Sequence, residues 1–250
     1  MLFSILNNYG FSKEGLAMLV LMIPCVLLAL TVHEAAHGFA AYKLGDMTAR
    51  NEGRLSLNPL AHLDPIGTIM MLLVGFGWAK PVPINSRYFK NPKRDIAITA
   101  AAGPFANLVT AFVATLLGAA VLRFMPDEVW MDYLYDGKLS ILIFVYTFFD
   151  MLATLNVGLA VFNLIPLPPL DGSNILVAFL PPKAASQYLK VRYYTRYIFL
   201  GLIVLSYLAD YSSLFAQIDY YLWWPVTEGR DWILYGMNWV AEQIFFGLLG

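Results

Sequence analysis

The sequence predicts an all-α polytopic membrane protein, and three observations support that fold class. First, 59% of the 250 residues are hydrophobic and only 13% are charged, whereas a soluble domain is about half apolar and roughly a quarter charged. Second, the apolar residues fall in several runs of about 20, the length that a helix needs to cross the hydrocarbon core. Third, the Lys and Arg residues cluster in the connections between these runs. We therefore expect a single membrane-embedded domain over residues 1–250.

Five segments are candidates for membrane-spanning helices. Their approximate ranges are residues 15–42, 96–122, 139–164, 194–214 and 232–249. The last is the shortest, and the tryptophans in its N-terminal half are typical of an anchor at the membrane interface. Two other apolar pieces, residues 66–78 and 174–180, are too short to cross the bilayer. They favour a re-entrant hairpin or half-helix, which is tolerated at membrane depth when protein shields it.

The distribution of basic residues predicts an orientation. Residues 43–95 contain eight Lys and Arg and residues 181–196 contain four, against two in residues 123–138 and one in residues 210–231. Because cytoplasmic connections carry the excess of basic residues, we expect the N-terminus outside and the C-terminus in the cytoplasm, in the inner (plasma) membrane. The formal net charge is −1 and no extended basic face is evident, so nucleic acid is not expected as a partner.

The first apolar run contains the sequence T-V-H-E-A-A-H-G, in which His33 and His37 are four residues apart. At about 3.6 residues per turn, the two imidazoles project from nearly the same face of a helix, where they can bind one Zn²⁺ ion. Glu34 follows the first histidine, so its carboxylate can act as a general base on water beside the metal. The pattern H-E-x-x-H on a helix is therefore typical of a metalloprotease zinc site.

A purely structural role for these residues is the alternative. Two histidines on one helix face can simply pack or form hydrogen bonds. A charged group at mid-bilayer, however, costs about 2.5–3.5 kcal/mol, and ionisable residues in spans usually have a functional partner. Three such residues within five positions of one predicted span are hard to explain by packing, so the sequence favours the metal site.

Asp171 is the candidate for a third ligand, which a catalytic zinc usually has. It lies in N-L-I-P-L-P-P-L-D-G-S, residues 163–173, at the end of the third long apolar run. The prolines break the helix and Gly172 permits a tight bend, so Asp171 can turn back into the interior. On local sequence alone, Asp171 is explained equally well as the cap of the next short helix. The upstream H-E-x-x-H motif favours the metal ligand.

Three ordered motifs together resemble the site-2 protease family of intramembrane zinc metalloproteases. They are H-E-x-x-H in the first run, A-A-G-P-F-A-N at residues 101–107, and N-x-x-P-x-P-P-L-D-G at residues 163–172. The connections L-N-P-L-A-H-L-D-P-I-G-T, residues 57–68, and G-W-A-K-P-V-P-I-N, residues 77–85, resemble the compact prokaryotic branch. Many members of the family carry a PDZ domain or a CBS pair, and no segment here is long and polar enough to form either.

The resemblance implies a bundle of about five to six transmembrane helices around a three-helix catalytic core, with a re-entrant hairpin or short β element. The core covers about residues 15–180 and the accessory helices about residues 194–249. The implied partners are the lipid bilayer and a transmembrane or membrane-associated protein substrate. The count of basic residues places the histidines toward the cytoplasmic half of the membrane. Self-association into a homo-oligomer is left open.

The resemblance also implies roles for individual residues. One zinc ion per chain is expected, with His33, His37 and Asp171 as its ligands and Glu34 as the general base. Asn163 occupies the first position of the N-x-x-P motif. Its amide is expected to stabilise a developing oxyanion or to hold the substrate backbone. The alternative role of Asn163 is to satisfy carbonyl groups that the following prolines leave free.

Two further features have structural and functional interpretations. Gly103 and Asn107, four residues apart on the second span, favour close helix packing with a polar contact rather than a chemical role. Residues 76–88 nearly alternate apolar and polar side chains and contain two prolines. Their edge could pair with an extended substrate, and the alternative is a re-entrant loop that brings Trp78 to the interface.

His62 and Asp150 lie outside the motifs. His62 is in a turn-rich stretch and is interpreted as a structural loop residue. Asp150 falls in the middle of the third span, where a carboxylate must be protonated, paired or in contact with water. It is therefore a candidate for the wall of a water path to the metal.

Two other functions compete with proteolysis. The first is a zinc-binding, non-proteolytic membrane protein that binds transmembrane segments. The second is a transporter that uses the intramembrane His and Asp residues as a metal relay. A pure binder has no need of Glu34 beside the ligand pair, and the chain has no repeated halves such as many transporters have. The sequence therefore favours the peptidase.

Overall fold

A computed structural model describes residues 12–74, 78–208 and 213–247. These residues are largely helical, and the described ranges contain no β-strand beyond an isolated antiparallel bridge between Leu63 and Ala79. The helices are, in chain order, α1 (Lys13–Lys43), α2 (Thr48–Asn51), α3 (Pro65–Val74), α4 (Pro92–Arg123), α5 (Asp127–Asp136), α6 (Ile141–Asn163), α7 (Asp171–Phe179), α8 (Pro182–Leu208) and α9 (Ser213–Phe245). The predicted all-α fold class is confirmed.

Three of the described helices are long and apolar enough to cross a membrane. They are α1 from Gly15, α4 and α6, and they match the first three predicted spans. The predicted fourth and fifth spans fall in α8 and α9, which do not meet the same standard over their described residues. The number of spans beyond three therefore remains a prediction. The two apolar pieces predicted to be too short form α3, with ten residues, and α7, with nine.

Each of the three apolar helices begins at a polar side chain that accepts a hydrogen bond from its first turn. Ser12 accepts from the backbone N–H of Gly15 at 3.1 Å, and Ser140 accepts from that of Ile143 at 3.3 Å. Asn91 plays the same part for α4. Such caps satisfy backbone N–H groups that have no partner within the helix. They determine where each helix starts, and therefore how far along the bundle the residues of α1, α4 and α6 lie.

Helix α4 lies at the centre of the bundle, in contact with α1, α6, α7 and α9. Its buried residues are mostly small and recur every three or four positions. They include Ala100, Gly103, Asn107, Ala111, Ala114 and Gly118. Small residues at this spacing let helix backbones approach closely. The stripe therefore brings α1 and α6 close enough to α4 for their polar side chains to meet.

Helix α9 corrects the predicted path of the C-terminal region. The sequence predicted an external connection over residues 210–231, but the described chain is one continuous helix from Ser213 to Phe245. Phe246, just after that helix, lines a cavity with Leu122 and Tyr146, which lie at the end of α4 and near the start of α6. The end of α9 is thus at the same end of the bundle as residues 123–138. Counting basic residues predicted these two regions on opposite sides of the membrane, and the orientation of the chain in the membrane remains a prediction.

Candidate metal centre and catalytic site

Helix α1 presents two buried histidines on one face. His33 and His37 are 5% and 6% exposed, and their Nε2 atoms are 3.0 Å apart. The rings are nearly perpendicular, with centroids 4.6 Å apart and an interplanar angle of 88°. The two imidazoles therefore project from one face of the helix, as predicted, and their Nε2 atoms converge on one point.

Asp171 reaches the same point from the far end of the bundle's third apolar helix. Helix α6 ends at Asn163, and after a short turn α7 begins at Asp171. The Oδ2 atom of Asp171 lies 3.1 Å from His33 Nε2 and 3.2 Å from His37 Nε2. The cap position of α7 belongs to Leu170 and has no side-chain cap bond. The structure thus favours the inward-facing carboxylate over the helix cap.

The second nitrogen of each histidine identifies its tautomer. His33 Nδ1 is 2.6 Å from the Oδ1 atom of Asn107, and His37 Nδ1 is 2.7 Å from the backbone oxygen of Thr99. The amide nitrogen of Asn107 donates to Ala29 O and to Asn156 Oδ1, so the oxygen of Asn107 is the atom that faces His33. Both Nδ1 atoms therefore donate, and in the neutral rings both Nε2 atoms carry lone pairs.

This donor set fits a zinc ion. Two imidazole nitrogens and one carboxylate oxygen meet within 3.2 Å, and when both rings are neutral with Nδ1 protonated, no proton lies between the two Nε2 atoms. A cation bound at the centre would accept the lone pairs of these atoms, and it would account for the close approach of three atoms that otherwise repel one another. Tetrahedral zinc with bonds of about 2.0–2.1 Å separates its ligand atoms by about 3.3 Å, close to the spacing seen. Histidines that donate through the other ring nitrogen are also the usual form of zinc ligands.

Gly103 allows α4 to pass directly over the two histidines. A Cβ atom at this position would lie 2.5 Å from His37 Nε2 and 2.8 Å from His33 Cε1. Real Cβ atoms do not approach other atoms so closely. A glycine is therefore required where α4 crosses the metal-binding face of α1.

Glu34 lies beside the cluster in a cavity of about 450 Å³. The cavity wall includes all of the residues to which the sequence assigned chemistry, namely His33, Glu34, His37, Asn163 and Asp171. The Oε2 atom of Glu34 accepts a hydrogen bond of 2.9 Å from the backbone N–H of Val82. A carboxylate is thus held next to a three-ligand site in a space large enough for a stretch of polypeptide.

Comparison with known proteins gives the family of this chain. The family model of Peptidase family M50 matches residues 21–206, which contain every residue of the cluster. The chain belongs to peptidase family M50. YwhC of Bacillus subtilis (strain 168), a protein named as a zinc metalloprotease, is 36% identical over 225 residues, covering 90% of this chain and 94% of YwhC.

More distant relatives carry the same kind of name. Rip2 of Mycolicibacterium smegmatis is 30% identical over 174 residues, which cover 66% of this chain and 59% of Rip2. Rip2 of Mycobacterium tuberculosis is 29% identical over 170 residues, with the same coverage. The M50 chain therefore spans little more than half the length of the Rip2 proteins. No solved structure matches it.

Asn163 lines the cavity of this M50 protein from the last turn of α6. One hydrogen of its amide goes to the backbone oxygen of Leu159, at 2.9 Å. Leu159 lies within the same helix, so the amide does not serve a carbonyl group of the proline-rich turn. The second amide hydrogen is available to a ligand, and the oxyanion role remains a prediction.

Two of the residues outside the motifs do not join the site. His62 is 1% exposed, and its Nε2 atom donates to the backbone oxygen of Ser56 at 2.8 Å, in keeping with the structural interpretation. Asp150 lines a separate cavity of about 700 Å³ together with Tyr146 and Glu242. That cavity shares no described lining residue with the one at the histidines, and the place of Asp150 on a water path to the metal remains a prediction.

The segment at residues 76–88 is described from Trp78, and residues 76 and 77 lie outside the described ranges. It forms no β-strand over its described residues apart from the bridge at Ala79. Trp78, Pro81 and Ile84 line the histidine cavity. The segment therefore borders the site, and its pairing with substrate remains a prediction.

Sequence reasoning assigned packing roles to Gly103 and Asn107, and the structure gives both a direct contact with the histidines. A signal was available, because both belong to the second of the three motifs and lie four residues apart, one helical turn. No sequence signal points to the hydrogen bond between His37 and the backbone oxygen of Thr99, because every residue carries a carbonyl group.

Proposed function

We propose that this M50 chain is a zinc-dependent intramembrane endopeptidase that hydrolyses peptide bonds in or near the transmembrane segments of substrate proteins. One observation carries the proposal. Three ligand atoms converge within 3.2 Å of one another on helices of which α1 is apolar enough to cross a membrane. A metal centre on such a helix faces substrates that are themselves in the membrane.

The proposed roles follow from the chemistry of each group. His33, His37 and Asp171 would hold one zinc ion, which when bound acts as a Lewis acid toward water and carbonyl groups. Glu34 takes a proton from water through its carboxylate and later passes that proton to the leaving amine. Asn163 donates its free amide hydrogen to the oxygen on which negative charge develops.

The surroundings favour a membrane-associated polypeptide as substrate. The cavity of about 450 Å³ is bordered by apolar side chains such as Leu30, Ile96 and Phe162. Since a helix keeps its backbone groups hydrogen-bonded to one another, a transmembrane substrate must unwind locally before its peptide bond can be attacked. We propose that this happens in one membrane-embedded domain that includes residues 1–250, with self-association left open.

We further propose that the site faces the cytoplasmic half of the inner membrane. The connection between α1 and α4 carries most of the basic residues, eight in residues 43–95, and such connections are usually cytoplasmic. His33 and His37 lie in the last three turns of α1, near that connection. The N-terminus, residues 123–138 and the end of α9 then share the opposite side.

The test compares wild type with Glu34→Gln, both purified in detergent and supplied with a model transmembrane substrate. Wild type is expected to bind about one zinc ion per chain and to cleave. Glu34→Gln keeps the shape of the side chain, so it should keep fold and zinc while cleavage falls by at least about 1000-fold, because the proton acceptor is lost. Zinc content is measured by elemental analysis and cleavage by fragment mass.

Ligand variants complete the test. His37→Ala and Asp171→Ala each remove one donor atom and should lose most of the zinc. Wild-type cleavage by Glu34→Gln would rule out Glu34 as the base. If wild type binds zinc but yields no fragments from any transmembrane substrate, the chain is a zinc-containing binder of such segments rather than a peptidase.

A further inference from the structure

The segment Lys80 to Asn85, here called the strap, crosses α1 beside Glu34 and is fastened by charged side chains on each side. The Nη2 atom of Arg54 donates to the backbone oxygens of Lys80 at 2.7 Å and Pro81 at 3.3 Å. At the other end, the Oδ2 atom of Asp46 accepts the backbone N–H of Asn85 at 2.6 Å. Hydrogen bonds in which one partner is charged are stronger than those between neutral groups, so both ends of the strap are firmly held.

The middle of the strap contacts Glu34 through a single donor. Val82 N–H donates to Glu34 Oε2 at 2.9 Å. The residues on either side, Pro81 and Pro83, have no N–H group and a fixed φ angle. Val82 is therefore the one residue of this tripeptide that can donate, and the flanking rings keep its backbone from turning away.

Packing adds a further restraint on Val82. Its side chain is 6% exposed and faces Gly38, one turn along α1 from Glu34, where an added Cβ atom would lie 3.2 Å from Val82 Cγ1. A side chain at Gly38 would require the Val82 side chain to shift by a few tenths of an ångström. The close contact thus sets the distance between strap and helix at the height of Glu34.

The two fastening residues are themselves unusual. Arg54 is 8% exposed and Asp46 is fully buried, and burying a charged group is costly unless hydrogen bonds compensate. The other carboxylate oxygen of Asp46, Oδ1, accepts hydrogen bonds from the backbone N–H and the hydroxyl of Thr48, two residues further along the chain. The side-chain hydrogen bonds of Arg54 go to the strap, through Nη2, while its Nε is buried without a partner among the described residues. The bonds to Lys80 and Pro81 therefore offset part of the cost of burying this guanidinium.

We propose that Arg54 and Asp46 are positioning residues that hold the Val82 N–H against Glu34 and so fix the orientation of the carboxylate. With Oε2 bound to the strap, Oε1 is the oxygen that receives the proton in the reaction. This inference rests on the proposed function of Glu34 as general base. It assigns no contact between substrate and either positioning residue, so their loss affects turnover rather than binding.

The test uses the full-length protein with zinc bound and compares Arg54→Gln with Arg50→Gln. Arg50 is a matched control, because its guanidinium reaches only the hydroxyl and ring of Tyr42 on the surface. Arg54→Gln should lower kcat by about 10-fold or more, with KM changed less than about twofold and zinc content unchanged. Arg54→Lys, which can still donate to one carbonyl group, should recover part of kcat. Arg50→Gln should match wild type in all three quantities.

Amide hydrogen exchange supplies a readout that does not depend on cleavage. In Arg54→Gln the amides of Val82, Ile84 and Asn85 should exchange about 10-fold faster or more than in wild type and in Arg50→Gln, because the strap is released. Unchanged exchange together with unchanged kcat would overturn the proposal. Loss of zinc, or a raised KM with normal kcat, would also overturn it, since Arg54 would then act on the metal site or on substrate. If wild type itself does not cleave, the proposed function fails while exchange still decides whether Arg54 holds the strap.

Discussion

Hydrogen bonds to the Nδ1 atoms of the two histidines determine what their Nε2 atoms can bind. The oxygen of Asn107, 2.6 Å from His33 Nδ1, keeps the proton on that nitrogen and the ring in place. Replacing Asn107 with Leu keeps the approximate volume and removes the acceptor, so we expect zinc affinity to fall by about 10–100-fold. Competition with a chelator measures it. Asn238→Leu, at the wall of the distant cavity, is the control, and equal affinities in the two variants would contradict the assignment.

Gly103 gives a second prediction at the level of one residue. The methyl group of Gly103→Ala would lie 2.5 Å from His37 Nε2, so the rings or the whole of α4 must move. We expect most of the zinc and at least about 100-fold of the activity to be lost, since small displacements in a catalytic site have large effects on rate. Gly118→Ala on the same helix places its methyl group in ordinary contact, 3.5 Å from Phe149 Cβ. That variant should retain zinc and activity, and a similar loss in both would mean that α4 tolerates no alanine.

The residues of the site differ in how far sequence could predict them. His33, His37 and Asp171 were predicted together because ligands must be particular residue types, and their atoms do converge. The ties to Asn107 and to the oxygen of Thr99 depend on how α4 lies against α1. That is a matter of helix packing, which residue spacing along one helix does not contain.

At the level of elements, the turn between α6 and α7 decides where Asp171 points. Gly172 is in the first turn of α7, and a Cβ atom there would collide with the backbone oxygen of Leu164 and lie 2.5 Å from that of Ile165. These are backbone atoms, so Gly172→Ala must move α7 away from the end of α6. We expect the Asp171 carboxylate to leave the histidines, with zinc affinity reduced by about 10-fold or more.

The control for this element is Gly236→Ala on α9, where an added Cβ atom meets nothing within 4 Å. Both variants replace a helical glycine, and alanine favours a helix by about 1 kcal/mol, so any gain in helix propensity is shared. Zinc titration and thermal unfolding of the pair separate a local shift of α7 from a general effect. Normal zinc binding in Gly172→Ala would show that the turn does not set the position of Asp171.

Sequence predicted some elements well and others poorly, for identifiable reasons. The first three apolar helices were predicted because length and apolar composition suffice to define them. Helix α9 was not, because its polar stretch around Arg230 looks like a connection. In the structure the side chain of Arg230 lies beside Gly158 of α6. A Cβ atom added at Gly158 would be 3.9 Å from Arg230 Cδ. In the sequence, a charged residue that packs against another helix looks the same as a charged residue in a connection, so only the structure distinguishes the two.

At the scale of the whole molecule, two cavities of the described bundle lie near opposite ends of α6. The histidine cavity is bordered by Asn163 at the end of α6, and the second by Tyr146 near its start. A buried cluster of Cys25, Ala114, Leu152 and Ala153 borders the second cavity, which Ala114 and Ala153 line. The two cavities share no described lining residue, so we expect water to reach the metal centre through the histidine cavity. Access from the side of the strap is the expected route.

The path of α9 predicts which surfaces share one side of the membrane. The end of α9 lies beside the ends of α4 and α6 that residues 123–138 connect. In a protein whose buried Cys25 is replaced by Ala, Gln243→Cys and Glu128→Cys should therefore react with an impermeant thiol reagent from the same side of a sealed vesicle. Lys90→Cys, just before α4, should react only from the other side. Labelling is quantified by mass shift in inside-out and right-side-out vesicles.

The prediction concerns which of these sites share a side of the membrane, rather than the side on which any one of them lies. Residues 123–138 connect the end of α4 to the start of α6, and the end of α9 lies beside both. Glu128 and Gln243 are therefore expected on the same side of the membrane. If Gln243→Cys instead reacts from the side of Lys90, α9 runs in the direction that counting basic residues predicted. The packing of α9 against α4 and α6 would then be wrong, while the cluster of His33 and Asp171, which α9 does not contribute to, would stand.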